Sequence, residues 1–320
     1  MITNASQFHI DKNNFVHTID STIRILQSER ETGHIAGGKT ICGLTKLEIP
    51  KNLVIVGDLH GDMRALKQIL EEIDFEKFLS NYNNKMIFLG DYVDRGSRSI
   101  ELLQYVCHLK HTYSDSIILM RGNHESPIEF PFTSHDLPAR LQEHFGEGWD
   151  QIYKKILEMF QLFTLVAIIN NKLFLVHGGP FTMLDSNYEE FVSTAAQKYG
   201  YNDVLKELLW NDPRPLKEDT PFENSRRHFG KHFGMEISKK CLETSKTCAM
   251  VRSHEPCHVY RIDHNNMVMT IFSCGESYPN FEPGYLFLTG KQLRKIQNAL
   301  DLTQYVRKIK KGREDQVDAL

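Results

Sequence analysis

The sequence has little of several things that would have placed it early. Of 320 residues, two are tryptophan and six are cysteine. The cysteines, Cys42, Cys107, Cys241, Cys248, Cys257 and Cys274, form no CxxC pair, so neither a thiolate metal site nor a paired redox motif is indicated. No long hydrophobic run exists. The most apolar window, 160–176, is broken by Gln161, Thr164, Asn170, Asn171 and Lys172, and is too polar to span a bilayer. The stretch Met1 to Asn14 has no cationic lead into an apolar core, so no export signal is expected. Free thiols and no signal predict a cytoplasmic protein. Neither charge sign dominates: Lys plus Arg is 38, Asp plus Glu is 41, and the net charge is −3. That balance argues against a general nucleic-acid binder. There is no internal repeat and no low-complexity tract.

What is present is a globular composition, 41% hydrophobic and 25% charged. Four short apolar runs stand out: 53–56, 86–89, 117–120 and 173–176. Each reads as a strand buried on both faces. Each stops at a glycine beside polar residues: Gly57-Asp58-Leu59-His60-Gly61-Asp62, Gly90-Asp91-Tyr92-Val93-Asp94-Arg95-Gly96, Arg121-Gly122-Asn123-His124-Glu125 and His177-Gly178-Gly179. Asp58, Asp91 and Asn123 follow one another at roughly 30 residues, the length of a βαβ unit. Helical periodicity fills the gaps, at Ala65, Leu66, Ile69, Leu70, Ile73 and at Ile100, Leu103, Val106, Cys107. Ligands in such sheets bind beyond the carboxyl ends of the strands, where all these polar motifs fall.

A hairpin is expected over 162–176, turning at Asn170-Asn171. Later apolar stretches at 248–252, 268–272 and 285–288 suggest a second sheet. The fold class expected is therefore α/β, with two packed mixed sheets flanked by helices. One catalytic domain should span 1–320. Its core is about 48–290, with a helical lead at 1–47 and a C-terminal helix and basic tail at 291–320. The segment Gly33 to Gly43 reads as loop.

The polar motifs supply Asp, His and Asn side chains together, a set suited to borderline divalent cations. The order and spacing of GDLHG, GDYVDRG, RGNHE and HGG resemble the phosphoprotein phosphatase family of serine/threonine phosphatases, within the calcineurin-like metallophosphoesterases. The stretch 208–213, LLWNDP, resembles a further segment of that family. The likeness runs from about Glu48 to Leu288. It implies a centre of two divalent ions, Mn²⁺ first and Fe²⁺ or Zn²⁺ as alternatives. Asp58 and His60 would bind one ion, Asp91 would bridge both, and Asn123, His177 and His254 would complete the second. It implies His124 as general acid, oriented by Asp94, with Arg95, Asn123 and a second arginine binding phosphate. That arginine is ambiguous: counting back from Gly234 selects Arg227, counting forward from Asn224 selects Arg226, and Arg227 is preferred. A water between the ions would be largely hydroxide near neutral pH and could attack phosphorus in line.

The resemblance implies phosphoprotein substrates; the charge balance and the broken apolar window lead us to expect no nucleic acid and no membrane span. The resemblance also leaves a place for a regulatory or docking protein, because substrate choice in this family often comes from docking surfaces. One loop departs from the family pattern: Ser273-Cys274-Gly275-Glu276-Ser277-Tyr278 replaces SAPNYCG, with its tyrosine one residue late. Three other readings stand beside the main one, the first two prompted by this loop. They are a tyrosine or dual-specificity phosphatase, a dinucleoside polyphosphate hydrolase, and an inactive phosphate-binding scaffold. Glu125 and Asp62 are expected to be structural. His108, His111, His135, His144 and His258 are expected on the surface. The segment 126–150 is expected as helix and loop, a candidate wall of the cleft.

Overall fold

The structure, a computed structural model, describes residues 10–182, 188–197, 202–217, 220–227 and 229–310. The chain begins with α1 (Lys12–Thr32) and three strands, β1 (His34–Ile35), β2 (Gly38–Ile41) and β3 (Leu44–Leu47). Next come β4 (Asn52–Val56), α2 (Met63–Glu72), α3 (Phe75–Leu79), β5 (Asn84–Phe88), α4 (Ser99–Thr112) and β6 (Ile117–Leu119). Helices α5 (Leu137–Phe145) and α6 (Trp149–Gln161) lead into the hairpin β7 (Val166–Ile169) and β8 (Leu173–Val176). Then follow α7 (Tyr188–Gln197), α8 (Asp203–Trp210), β9 (Asp212–Pro213), β10 (Phe222–Asn224), β11 (Lys231–Phe233), α9 (Met235–Ser245) and β12 (Ala249–Arg252). The described chain closes with β13 (Tyr260–Asp263), β14 (Val268–Ile271), β15 (Gly284–Thr289), α10 (Gly290–Lys295), a 3-10 helix (Ala299–Tyr305) and β16 (Val306–Lys308).

Two mixed sheets pack face to face. One has the order β16-β15-β4-β5-β6, the other β1-β2-β3-β7-β8-β12-β14-β13. Between them lie Leu53, Ile55, Ile87 and Ile118 of the first and Ala167, Leu175, Val251 and Met269 of the second. The alternate residues point outward. Val54, Val56, Met86 and Phe88 meet α1, α2, α4 and α6. Val166, Phe174, Val176 and Met250 meet α7, α8 and α9. This layering explains the unbroken apolar runs, because each central strand buries both faces.

Several expectations are corrected. The lead 1–47 is not wholly helical: its glycine-rich part folds as β1 and β2, with β3 carrying the ladder to β7. Glycines at positive φ (Gly37, Gly43) make the turns, and the intervening Thr and Ile suit a strand. The C-terminal helix ends at Lys295, and Arg307 and Lys308 pair as β16 with β15. Lys311 and Arg313 of the basic tail lie outside the described residues. Residues 285–288 belong to the first sheet, antiparallel to β4, whereas 173–176 belong to the second. Strands buried on both faces carry no marker of sheet membership, so sequence grouping followed chain order instead.

Candidate active site

The carboxyl ends of β4, β5, β6, β8 and β12 converge on one cleft of about 760 Å³. His60, Asp91, Arg95, Asn123, His124, Arg227 and His254 line it. Asp58, Asp94 and His177 stand behind them, fully buried.

The loops are held by backbone contacts that few residues tolerate. The Leu59 and His60 amides donate to the Asp91 carbonyl at 3.0 and 2.9 Å. Gly96 lies so close to the His60 carbonyl that a Cβ would collide with it. His60, Asp91, Asp94, Arg95 and His254 all take left-handed φ, between 43° and 69°. Such conformations cost of order 1–3 kcal/mol each for side-chain-bearing residues and collect at functional sites. Glu125 holds the junction: its carboxylate accepts from the amides of Asp91, Tyr92 and Gly122 at 2.8 to 2.9 Å. Asp62 caps α2 through Ala65 N and also accepts from the amides of Gly275 and Glu276. Both residues have structural partners, as anticipated.

The imidazoles are aimed by their second nitrogens. His60 Nδ1 donates to the Val93 carbonyl and His177 Nδ1 to the Leu89 carbonyl, both at 3.0 Å. Their Nε2 atoms are thereby left as acceptors turned toward Asp91. His60 Nε2 lies 3.7 Å from Asp58 Oδ2 and 3.6 Å from Asp91 Oδ2. His177 Nε2 lies 3.4 Å from Asp91 Oδ1 and 3.1 Å from Asn123 Oδ1. His254 Nδ1 lies 2.8 Å from the same Asn123 oxygen. Two groups of ligand atoms result: His60, Asp91 and His124, and Asp91, His177 and His254, with Asp91 common to both. His124 is the odd member, because its Nδ1 is taken by Asp94 Oδ2 at 2.7 Å.

The electrostatics fit divalent cations. Burial pushes Asp58 up to about 6. It raises Asp91 well above the usual carboxylate range, with the Asp58 and Glu125 charges adding to the effect. Burial also holds His60, His177 and His254 well below the ordinary imidazole value, with neighbouring cationic groups assisting. Neutral imidazoles are the form a metal takes. Asp58 Oδ2 is buried with no hydrogen-bond partner among the described residues. Two crowded carboxylates, one with an orphaned oxygen, and three neutral imidazoles are a cradle that positive charge would complete.

Arg95 Nη1 donates to Tyr278 Oη at 2.5 Å, and its Nη2 lies 3.3 Å from His124 Nε2. Arg227 Nη1 lies 2.6 Å from His254 Nε2 and lines the cleft, which Arg226 does not. Pro131, Phe132, Thr133 and Ser134 form one wall. Phe132 meets the His124 ring edge-on at 4.5 Å. Trp210, Phe229 and Tyr278 form the rest of an aromatic rim.

Residues 51–258 match the calcineurin-like phosphoesterase family. The chain belongs to that family. A probable serine/threonine-protein phosphatase of Encephalitozoon cuniculi is 32% identical over 84% of this chain and 57% of its own length. A protein phosphatase 2A catalytic subunit of Dictyostelium discoideum is 30% identical over 73% of this chain and 70% of its own. The chain spans about half the length of the first curated relatives it matches, 57% and 42%. A Saccharomyces cerevisiae serine/threonine phosphatase structure, described as similar to human PP5, shares the fold, with a TM-score of 0.69 and 22% identity. It aligns over 88% of this chain and 84% of its own. The phosphoprotein phosphatases are thus the branch of the family in which its relatives lie.

Two features of the calcineurin-like site escaped sequence reading. His135, expected on the surface, is mostly buried and bonded to Asp94 Oδ2 at 2.9 Å. No spacing pattern ties residue 135 to residue 94. Arg252 is fully buried: Nε donates to the Gly178 carbonyl, and Nη2 to the Asn211 carbonyl and Asp212 Oδ1. It locks the His177, Asn211 and His254 loops together. Its position two residues before His254, at the end of the apolar stretch 248–252, was the available signal.

Proposed function

We propose that the chain is a metal-dependent protein phosphatase that hydrolyses phosphoserine and phosphothreonine monoesters. One observation carries this reading: the hydrogen-bonded Asp94–His124 pair and two cleft arginines surround ligand groups that share Asp91. The names of the curated relatives support the same substrate class. Asp58, His60 and Asp91 would hold one cation, and Asp91, Asn123, His177 and His254 the other. Two divalent ions, Mn²⁺ first among them and Fe²⁺ or Zn²⁺ otherwise, would supply an activated water and offset the charge of a phosphate dianion.

The remaining work falls to the chain's own side chains. Arg95 and Arg227 would take phosphate oxygens, joined by the Asn123 amide. His124 Nε2 faces the cleft and would hold the proton given to the leaving oxygen. Asp94 accepts from His124 Nδ1 and so fixes which nitrogen is free. Burial opposes ionisation of Asp94, but the hydrogen bonds from His124 and His135 outweigh it and hold it well below the usual range. Serine and threonine alkoxides leave poorly, so a positioned acid is worth about 10²–10⁴-fold. The phosphoryl group would then pass directly to water in one step.

The aromatic rim and the Arg95–Tyr278 contact favour a second reading, in which aryl phosphates such as phosphotyrosine are also accepted. The six unpaired cysteines support a reducing, cytoplasmic setting. A docking or regulatory protein would add substrate choice. The test is phosphate release from phosphoserine, phosphothreonine and phosphotyrosine peptides and a dinucleoside polyphosphate, after chelator stripping and Mn²⁺ reloading. Metal-dependent release favouring phosphoserine or phosphothreonine is expected. A preference for phosphotyrosine or the dinucleotide would overturn the specificity. No release from any substrate would favour an inactive scaffold.

A further inference from the structure

His135 is bonded into the acid pair. A carboxylate can only accept, so the 2.7 Å and 2.9 Å contacts to Asp94 Oδ2 are donations from His124 Nδ1–H and His135 Nδ1–H. The other oxygen, Asp94 Oδ1, accepts from the amides of Asp136 and Leu137, both at 2.9 Å. Asp94 therefore receives four hydrogen bonds, three of them from consecutive residues at the start of α5. The far nitrogen of His135, Nε2, lies 2.7 Å from Tyr153 Oη on α6. Burial pushes the Tyr153 hydroxyl up to about 12, so it stays protonated and closes the chain at its outer end. The direction of the two inner bonds is set: His135 donates to Asp94, and so does His124. His124 Nε2 is the atom left for the cleft. The Phe132 ring packs edge-on against both imidazoles, at 4.5 Å from His124 and 5.6 Å from His135.

We propose that His135 is a positioning residue for His124: with Tyr153 behind it, it holds the Asp94 carboxylate in the one orientation that aims His124 Nε2 into the cleft. The brace acts on Oδ2, the oxygen that His124 Nδ1 also uses. Without the His135 donor, Oδ2 is held by His124 alone while Oδ1 stays on the Asp136 and Leu137 amides, so the carboxylate can turn about that anchor and carry His124 with it. This inference rests on the phosphatase reading above and adds a residue to it.

The test uses His135→Phe, His135→Asn and Tyr153→Phe, with a phosphoserine peptide and 4-nitrophenyl phosphate as substrates. Nitrophenolate leaves readily and needs little help from an acid, whereas the serine alkoxide needs it. His135→Phe should lower kcat on the peptide about tenfold or more, with a much smaller loss on 4-nitrophenyl phosphate and little change in KM. His135→Asn keeps a donor at the Nδ1 position and should recover most of the loss. Tyr153→Phe should show the smallest effect. Equal losses on both substrates, or none on the peptide, would overturn the proposal. A readout that needs no turnover is the exchange protection of the His124 Nδ1 proton in ¹⁵N-histidine spectra. It should fall about tenfold in His135→Phe, and unchanged protection overturns the positioning role. A parent protein that turns over neither substrate defeats the phosphatase reading, and the exchange measurement still decides the role of His135.

Discussion

The two ends of the same three parallel strands, β4, β5 and β6, are built on opposite principles. At their amino ends the buried polar groups are partnered. Asn52 Nδ2 donates to Asn84 Oδ1, and Asn84 Nδ2 donates to the Phe78 carbonyl. Ser116 Oγ donates to the Leu79 carbonyl, and the Lys85 ammonium donates to the Tyr82 and Asp115 carbonyls. At their carboxyl ends Asp58 and Asp91 are buried side by side, Asp58 Oδ2 has no partner among the described residues, and four residues take left-handed φ. One end satisfies its groups. The other leaves charge uncompensated and backbone strained, which is what a ligand can use.

The contrast can be tested from both sides. Asp91→Asn should have the largest effect. Metal analysis should find both ions lost, and turnover should fall by orders of magnitude, since Asp91 belongs to both ligand groups. In chelator-stripped protein the same change should raise the melting temperature, because it removes one of two crowded buried carboxylates. Two tightly bound ions in the variant would break the comparison. His124→Asn comes next. Metal content should be unchanged while kcat on a phosphoserine peptide falls about 10²–10⁴-fold. Unchanged turnover would remove His124 from the acid role.

The amino end should respond the other way. Asn84→Ala removes a buried hydrogen-bonding side chain, and denaturant titration should show a loss of about 1–3 kcal/mol. Metal content and turnover should stay at parental levels. A matching loss of bound metal would show that the two ends are not separable. A last effect, confined to alkaline pH, concerns Lys85, whose ammonium burial holds down to about 8 from 10.5. Between those values the unfolded chain binds more protons than the folded one, so this lysine makes stability rise with pH. Parental stability measured relative to Lys85→Met should therefore climb from about pH 8 to about 10.5 and stay level below pH 8. A flat difference across the range would contradict the shift.

Much of the candidate site was legible because its residues are local to strand ends. Asp58, Asp91, Asn123 and His177 each follow an apolar run within a few residues, and a strand buried on both faces announces where it stops. Glu125 was readable as structural, since a carboxylate three residues from Gly122 can reach the amides of its own turn. The sheet assignment of 173–176 and 285–288 was not readable. Apolar residues on both faces give the strand but not its neighbour. His135 was misplaced because a histidine between serine and aspartate ahead of a helix looks solvent-facing, and its partner is 41 residues away.

The sequence by itself determined the motifs, the chemistry of the candidate ligand groups and the strand that carries each motif. These depend on short-range pattern: glycine where loops meet closely, and carboxylate, imidazole or amide at the strand's end. Only the tertiary structure decided that Arg227 rather than Arg226 lines the cleft, that Arg252 ties three loops together, and that His135 and Tyr153 stand behind Asp94. Each of these depends on side chains from separate elements meeting in space. Contacts of that kind follow from how layers pack, and packing leaves no period in the chain.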